Sequence, residues 1–324
     1  MDSALKSAKR LSLKGRLLRP QPARWGVAAF AAFMAFAMAA PSDALANGWK
    51  LSPTDRHIEP GQGAKAPRGL PDGHVATNRR GDIAKAWYEK PTKRYRHGIL
   101  GDGIEAAVLA VQTRNGSIVR VELPTREVFE DRTPRLVMLD RSGKSRVVTI
   151  LSDKGRGASL AIYSLVNGKL KKVGQTPFIG RTNRWRNIAG IADYNGDGRT
   201  DIAEVVTPHI GGTLRFWTWT GSRLIELAQS YGFSNHAIGY REQRLSATAD
   251  FNGDGRLDLA LPDVSRRQLI LIGFDKKSGG KKLSKLATIR LPARISGAVS
   301  VVMKKKKPHI RLGLVDGSAW LAAK

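Results

Sequence analysis

The sequence predicts an all-β protein built from repeated units of antiparallel strands. From about Arg94 onward, short runs rich in Val, Ile, Leu and Thr alternate with turn residues, as in chains of many short strands. Dipeptides that favour tight hairpins separate several of these runs. One pattern of strand, acidic loop, strand and hairpin recurs, and no amphipathic helix stands out. We therefore expect antiparallel sheets and very little helix.

The first 46 residues have the order of a secretory leader. Seven basic residues precede an apolar run at residues 26–40, and the small-x-small triplet Ala44, Leu45, Ala46 follows, as signal peptidase prefers. A membrane-spanning helix needs roughly 20 apolar residues, more than this run offers. We expect a periplasmic or secreted protein cleaved after Ala46. The alternative is an uncleaved membrane anchor, favoured by the long basic region and by Trp25.

Charge and cysteine content limit the classes of function. The 324 residues carry 55 basic and 27 acidic side chains, a formal charge of +28. Seven basic and two acidic residues fall within the leader, so the remainder keeps +23. Such an excess favours polyanions or anionic surfaces as partners. Cysteine is absent, which excludes disulfides, thiolate metal sites and cysteine nucleophiles.

Residues 47–93 are predicted to be an extended arm that precedes the repeats. This segment contains Pro53, Pro60, Pro67 and Pro71 and no sustained strand or helix period. A short helix is expected at residues 82–87, where helix formers follow a glycine and an aspartate. The repeat domain is predicted to occupy residues 94–324.

Three dipeptides mark hairpins in the repeat domain. Asn115 and Gly116 separate residues 107–112 from 117–123, and Asn167 and Gly168 separate residues 161–165 from 169–173. Thr220 and Gly221 separate residues 214–219 from 223–227 in the same way. Each pair of runs is predicted to form antiparallel strands.

The internal repeat predicts a β-propeller. Residues 187–206 overlay residues 246–263 with Asp193 matching Asp250, an offset of 57 residues, and each copy supplies about four strands. Weaker copies place units near residues 97, 135, 187, 245 and 298. We therefore expect about five blades, with six or seven as alternatives. The short last blade is expected to borrow a strand from the N-terminal arm, for which we favour residues 84–96.

Two acidic loops carry the strongest chemical signal: DYNGDGRTD at residues 193–201 and DFNGDGRLD at residues 250–258. Their alternate positions supply the oxygen ligands that Ca²⁺ requires, with a glycine at the sharp turn and a backbone carbonyl from the arginine. The sequence predicts two calcium sites, and an acidic turn without metal is the alternative. The predicted ligand residues are Asp193, Asn195, Asp197, Arg199, Asp201, Asp250, Asn252, Asp254, Arg256 and Asp258. The side chains of the two arginines are expected to point outward.

An EF-hand is excluded by the context of these loops. Glu204 stands at position 12 of the first loop, as an EF-hand requires, but the surrounding β-branched residues and Pro208 favour a strand. The second loop has Leu261 at that position, followed by Pro262. Both loops are therefore predicted to connect strands.

The repeats resemble the FG-GAP/VCBS repeats that form integrin α-like propellers, and the resemblance covers about residues 94–324. It implies calcium in the DxNxDGxxD loop between the first two strands of a blade, which the two intact loops match at every position. The other three units do not match: one keeps Asp140, one keeps Gly101 to Glu105, and one has a lysine run. The resemblance implies ligand binding, adhesion or structural support, with enzymes as rare members.

Other residues suggest weaker hypotheses. The six histidines are scattered without metal-binding spacing, and no nucleophile elbow, P-loop or dinucleotide motif is found. Four aromatic residues suit packing between blades or a sugar-binding patch: Trp185, Trp217, Trp219 and Tyr231. The basic run is interpreted as a solvated loop tip or a polyanion contact: Lys304, Lys305, Lys306 and Lys307.

Taken together, these features predict a binding or scaffold module rather than an enzyme. The expected partner is an envelope protein or an anionic polysaccharide, not nucleic acid, and the membrane is a partner only through an uncleaved leader. One alternative is a hydrolase of polysaccharide or phosphate ester, which two close carboxylates outside the calcium loops would favour. Another is a membrane-tethered structural subunit, which an intact N-terminus would favour.

Overall fold

The computed structural model describes residues 48–58 and 63–324, and it confirms the all-β class. Within these residues, helix is confined to short turns such as the 3-10 turn Lys276–Ser278. The predicted leader lies outside the described residues. No helix in the described part of the chain is long and apolar enough to cross a bilayer.

Within the described residues, 21 strands follow one another. They are β1 Lys50–Thr54, β2 Ala76–Thr77, β3 Ile83–Thr92, β4 Glu105–Thr113, β5 Ile118–Glu122, β6 Glu127–Phe129, β7 Arg135–Val137, β8 Arg146–Asp153, β9 Gly157–Val166, β10 Lys169–Gln175, β11 Arg186–Ala192, β12 Asp201–Val206, β13 Thr213–Trp219, β14 Leu224–Tyr231, β15 Ala247–Ala249, β16 Asp258–Pro262, β17 Gln268–Phe274, β18 Leu283–Arg290, β19 Ile295–Lys304, β20 Lys307–Leu314 and β21 Ala319–Ala323.

Antiparallel pairing arranges these strands in five groups of four. Strands β11 to β14 form one sheet and β15 to β18 another, each paired in chain order. The same order holds for β2 to β5 and for β7 to β10, which β6 joins into one nine-stranded sheet by pairing with both β4 and β8. The fifth group is β19, β20, β21 and β1. A four-stranded meander is thus the recurring element of the chain.

The fifth group takes one strand from the N-terminal segment. Strand β1 pairs with β21 from Lys50 opposite Ala323 to Thr54 opposite Ala319. The expectation of a borrowed strand is confirmed, but the choice of residues 84–96 is wrong, since most of them belong to β3. Trp49 precedes β1, is 2% exposed, and packs against Phe251 with ring centroids 6.1 Å apart.

The structure corrects two other predictions for the N-terminal region. Residues 83–87, expected to be helical, lie in β3, where long pairing with β4 overrides local helix propensity. The Asp82 carboxylate accepts a hydrogen bond from Ser145 N at 2.7 Å and does not cap a helix. The first group begins at β2 rather than near residue 97, so three strands lie in the segment expected to be an extended arm.

All three predicted hairpins are confirmed. The Asn115 and Gly116 turn joins β4 to β5, and the Thr220 and Gly221 turn joins β13 to β14. Asn167 and Gly168 join β9 to β10 with φ of 51° and 71°. Two successive positive φ values match the twist of the flanking strands, which explains the asparagine–glycine pair.

Apolar side chains fill the spaces between successive groups of strands. One cluster joins β15 to β18 with β19 to β21 and includes Leu271 and Ile310, and another joins β11 to β14 with β15 to β18 and includes Phe216 and Leu259. The aromatic packing prediction is confirmed for Trp185, Trp217 and Trp219, which are buried in one cluster. Tyr231, by contrast, is 70% exposed.

Candidate calcium loops and the polar interior

The two acidic loops occupy equivalent places in two sheets. Residues 193–200 connect β11 to β12, and residues 250–257 connect β15 to β16, so each loop joins the first two strands of its group. Gly198 and Gly255 have φ of 83° and 85°, a backbone region in which glycine is favoured. The predicted location of the loops and of their turn glycines is confirmed.

The first carboxylate of each loop organises the turn. Asp193 accepts hydrogen bonds from the backbone N–H groups of Gly196 at 2.8 Å and Gly198 at 2.8 Å. Asp250 accepts the corresponding bonds from Gly253 at 2.7 Å and Gly255 at 2.9 Å. The two loops therefore have the same backbone conformation, as their matching sequences require.

The middle positions also repeat. Arg199 N donates to Asp197 Oδ1 at 2.8 Å, and Arg256 N donates to Asp254 Oδ1 at 2.9 Å. The side-chain amides of the two asparagines each donate to the following aspartate at 3.2 Å: Asn195 to Asp197 and Asn252 to Asp254. The polar side chains at alternate positions are thereby held along one turn of each loop.

The last aspartate of each loop is buried at the start of the next strand. Asp201 is fully buried and Asp258 is 2% exposed. In each, Oδ2 accepts a backbone N–H, from Tyr194 at 3.2 Å and from Phe251 at 2.9 Å. Burial raises the pKa of Asp201 to about 6 and that of Asp258 to about 7, and Asp254 and Asp250 add to the second shift. Both sites therefore hold a carboxylate that is costly to ionise without a nearby cation.

The chemistry of these residues fits calcium, which prefers carboxylate and carbonyl oxygens. Asp201 Oδ1 is buried without a hydrogen-bond partner, so an acceptor oxygen is available beside the first loop. Within residues 48–58 and 63–324, however, no three His, Asp or Glu side chains converge into a metal-binding group. Calcium at these loops therefore stays a prediction.

Arg256 departs from the expectation that both loop arginines point outward. Arg199 is exposed, as expected, whereas the Arg256 side chain reaches the first loop. A Cβ atom added to Gly196 would lie 2.9 Å from Arg256 Nε, and one added to Gly198 would lie 3.6 Å from Arg141 Nη2. Arginines from the two neighbouring groups thus flank the first acidic loop, which reduces the repulsion among its carboxylates.

The degenerate units differ in charge as well as in sequence. Asp140, between β7 and β8, forms an ion pair with Arg146 at 2.9 Å. Burial alone would raise its pKa, but hydrogen bonds from Ser142 and the charge of Arg146 hold the pKa below its ordinary value. The guanidinium of Arg146 therefore provides the positive charge that a calcium ion would provide in an intact loop. The expected match of residues 101–105 to the acidic loop is wrong, since these residues lie where β3 connects to β4, the second and third strands of their group.

The basic run lies at an exposed hairpin. Lys305 and Lys306 form the turn between β19 and β20 with φ of 48° and 63°, and all four lysines are exposed: Lys304, Lys305, Lys306 and Lys307. This confirms the interpretation as a solvated loop tip. Whether the run contacts a polyanion stays a prediction.

A buried polar network in the interior was not foreseen from the sequence. Glu130 accepts from Ser152 Oγ and contacts His97 Nδ1, and Glu105 accepts from His97 N at 3.0 Å. Burial raises the pKa of Glu105 and of Glu130. The cavity that both glutamates line measures about 10 Å³, which is about one water molecule.

Two histidines form a second part of the interior. His236 Nε2 lies 2.8 Å from the Tyr240 carbonyl, which can only accept, and His236 Nδ1 lies 3.0 Å from His209 Nε2. Trp185 packs against both rings. Burial lowers the pKa of His209 to about 4 and that of His236 to about 3, so both rings are neutral near pH 7. This pair was not predicted from the sequence, because the two histidines are 27 residues apart in the chain.

Comparison with known proteins gives no match: no protein-family model and no curated protein sequence matches this chain. The FG-GAP/VCBS resemblance therefore depends on the repeat and the two loops alone.

Proposed function

We propose that the chain is an exported, calcium-binding β-propeller of FG-GAP/VCBS type, with each four-stranded group as one of five blades. The repeated meander supports this architecture, as does the completion of the last group by β1, since propellers are built by radial repetition of such sheets. Apolar clusters shared by successive groups match the packing of one blade on the next.

Calcium in this proposal is held by the residues of the two acidic loops. In the first loop the ligands are side-chain oxygens of Asp193, Asn195, Asp197 and Asp201, together with the backbone carbonyl of Arg199. In the second loop, residues 250–258, the five corresponding residues provide the ligands. The ion would offset the charge of three aspartates in each loop and provide a partner for Asp201 Oδ1. The single observation that carries the assignment is the matching hydrogen-bond pattern of two loops at equivalent positions.

We assign the protein a binding or scaffold role for an envelope partner, either a protein or an anionic polysaccharide. The charge of +23 beyond residue 46 favours the anionic class. The hydrolase alternative has little support, because the buried pair Glu105 and Glu130 lines a cavity of about 10 Å³ that cannot admit a sugar ring or a phosphate ester.

The calcium assignment is tested by the variants Asp197→Ala and Asp254→Ala. Each is expected to bind about one calcium ion fewer than the wild-type protein by calorimetry and metal analysis, because each loses a ligand. Chelation is expected to lower the Tm of the wild-type protein, since a ligand that binds only the folded state stabilises it.

The matched control is Asp316→Ala, which removes an exposed turn aspartate outside both loops. It should retain the wild-type calcium stoichiometry. Unchanged stoichiometry in both loop variants would refute the calcium sites. Recovery of a partner from envelope extract in calcium but not in chelator would support a calcium-dependent binding role.

A further inference from the structure

A cleft of about 750 Å³ lies beside the connecting segments of three groups of strands. Its walls come from residues 63–75 before β2, from the segment between β6 and β7, and from the segment between β14 and β15. Four arginines line it, together with His74 and Gln243: Arg132, Arg135, Arg241 and Arg244. Small-molecule sites have volumes of about 300 to 1,000 Å³, so the cleft is large enough for a ligand.

Carboxylates hold these arginines in place. Asp72 Oδ2 lies 2.7 Å from Arg132 Nε and 3.4 Å from Arg241 Nε. The contact with Arg132 Nε is an ion pair whose geometry is not that of a hydrogen bond. Asp131 contacts Arg135 Nη1 at 2.9 Å and accepts from Gln243 Nε2 at 3.0 Å. Guanidinium groups fixed in this way lose less side-chain freedom when a ligand binds.

The arginines are more exposed than the carboxylates that hold them. The side chains of Arg241 and Arg244 are 56% and 44% exposed, whereas those of Asp72 and Asp131 are 15% and 0% exposed. Glu242, the acidic residue that lines the cleft, is 21% exposed and engages Arg244 at 2.6 Å. Four arginines and one glutamate therefore line the cleft, and the carboxylates of Asp72 and Asp131 are more buried than the arginines that they contact.

The pKa of His74 is lowered by burial as well as by the positive charges around the cleft. Burial lowers its pKa, and the nearby charges of Lys65, Arg132 and Arg244 lower it further, against the opposing charge of Asp72. The ring is therefore neutral near pH 7 and can donate or accept a hydrogen bond at the wall of the cleft. The lowered pKa of His74 agrees with the presence of several arginines in the lining of the cleft.

We propose that this cleft binds the oxyanion groups, carboxylate or phosphate, of an anionic glycan. Planar guanidinium groups donate paired hydrogen bonds that match both oxyanions, and the side chains of Arg241 and Arg244 are the most exposed of the four arginines. The proposal rests on the binding role proposed above and assigns the anionic partner to a defined place. It differs from the exposed lysine hairpin, whose four lysines do not line this cleft.

Calorimetry with trigalacturonate and with glucose 6-phosphate, at low salt and with calcium present, tests the proposal and separates the two oxyanions. Maltotriose is the neutral control, and single-stranded DNA tests another polyanion. The double variant Arg241→Gln with Arg244→Gln is expected to bind the preferred oxyanion about tenfold more weakly or worse, because charged hydrogen bonds are lost. The control variant Lys304→Gln with Lys305→Gln removes the same charge elsewhere and should change affinity less than about twofold.

Equal weakening in the two double variants would overturn the cleft as the site, because it would show a non-specific charge effect. The assignment to an anionic glycan is overturned by equal affinity for maltotriose, by tighter binding of DNA, or by lack of binding to either oxyanion. Calcium stoichiometry and Tm are measured on the same samples, so a failed cleft is distinguished from failed calcium sites and from misfolding.

Discussion

Arg256 shows how a single residue links the two acidic loops. Its backbone belongs to the second loop, where its N–H donates to Asp254, while its guanidinium lies against Gly196 of the first loop. Arg256 Nη1 is buried without a hydrogen-bond partner, so its compensation of the first loop is electrostatic. A change that moves the second loop therefore also changes the charge beside the first. Sequence spacing alone could not indicate this, because the contact joins residues 60 positions apart.

The pair His209 and His236 predicts a fall in stability on mild acidification. Their folded-state pKa values, about 4 and about 3, lie below the ordinary value of 6.5. As the pH falls below about 6.5, the unfolded chain takes up protons that the folded chain excludes. The stability that these neutral rings contribute is thus present above pH 6.5 and is lost as the pH falls toward 3 or 4. The charge of Arg266, which lies near both rings, acts in the same direction.

Urea unfolding with chelator present, at pH 7 and pH 5, measures this effect. His236→Gln is expected to lose less stability between the two pH values than the wild-type protein, because one buried histidine is gone. His57→Gln, at an exposed position, should keep the wild-type difference. Four buried acidic residues have raised pKa values and act in the opposite direction, but they are present in all three proteins: Glu105, Glu130, Asp201 and Asp258. An unchanged difference in His236→Gln would contradict the assignment.

At the scale of strands, local signals predicted hairpins and acidic loops well. Asn167 with Gly168, and the two DxNxDG loops, encode their conformations within a few residues, so the sequence was sufficient. Strand β3 depends on pairing with β4, up to 30 residues away, and was predicted to start as a helix. The arginine cleft and the histidine pair likewise combine distant segments, which single-sequence patterns do not reveal.

Strand β1 predicts that the N-terminal segment stabilises the last group of strands. Trp49 is 2% exposed in an apolar cluster with Phe251 and Leu271, and β1 pairs only with β21 among the described strands. Trp49→Ala should therefore reduce the free energy of unfolding by about 3 to 5 kcal/mol, as expected for a large buried side chain.

Urea unfolding followed by circular dichroism measures this loss. Tyr231→Ala is the control, because it truncates an aromatic side chain that is 70% exposed, and it should cost less than about 1 kcal/mol. Equal, small losses in both variants would show that the N-terminal segment does not stabilise the fifth group.

For the whole molecule, the position of Trp49 bears on the proposed processing. Cleavage after Ala46 would leave Asn47 and Gly48 ahead of Trp49, so β1 and its packing would remain complete. Mass spectrometry of protein isolated from the cell envelope is expected to find Asn47 as the first residue. The comparison is with cytosolic precursor from the same cells, which should retain the leader. Envelope protein that begins at Met1 would contradict cleavage and favour the membrane anchor.

The overall charge predicts how the protein approaches an anionic partner. A formal charge of +23 beyond residue 46 acts at long range, while contacts in the arginine cleft act only after encounter. Attraction between exposed charges is screened over about 8 to 10 Å near physiological salt. The association rate with a carboxylated glycan should therefore fall steeply as salt rises, and the dissociation rate should change less.

Variants separate these two contributions in surface plasmon resonance. Changing Lys304, Lys305, Lys306 and Lys307 together to Gln should lower the association rate and its salt dependence, because four exposed charges are removed. Arg241→Gln with Arg244→Gln should mainly raise the dissociation rate, because it removes donors that touch the ligand. A binding rate independent of salt in the wild-type protein would exclude charge steering. It would make a protein partner, recognised through apolar contacts, the better explanation of the binding role.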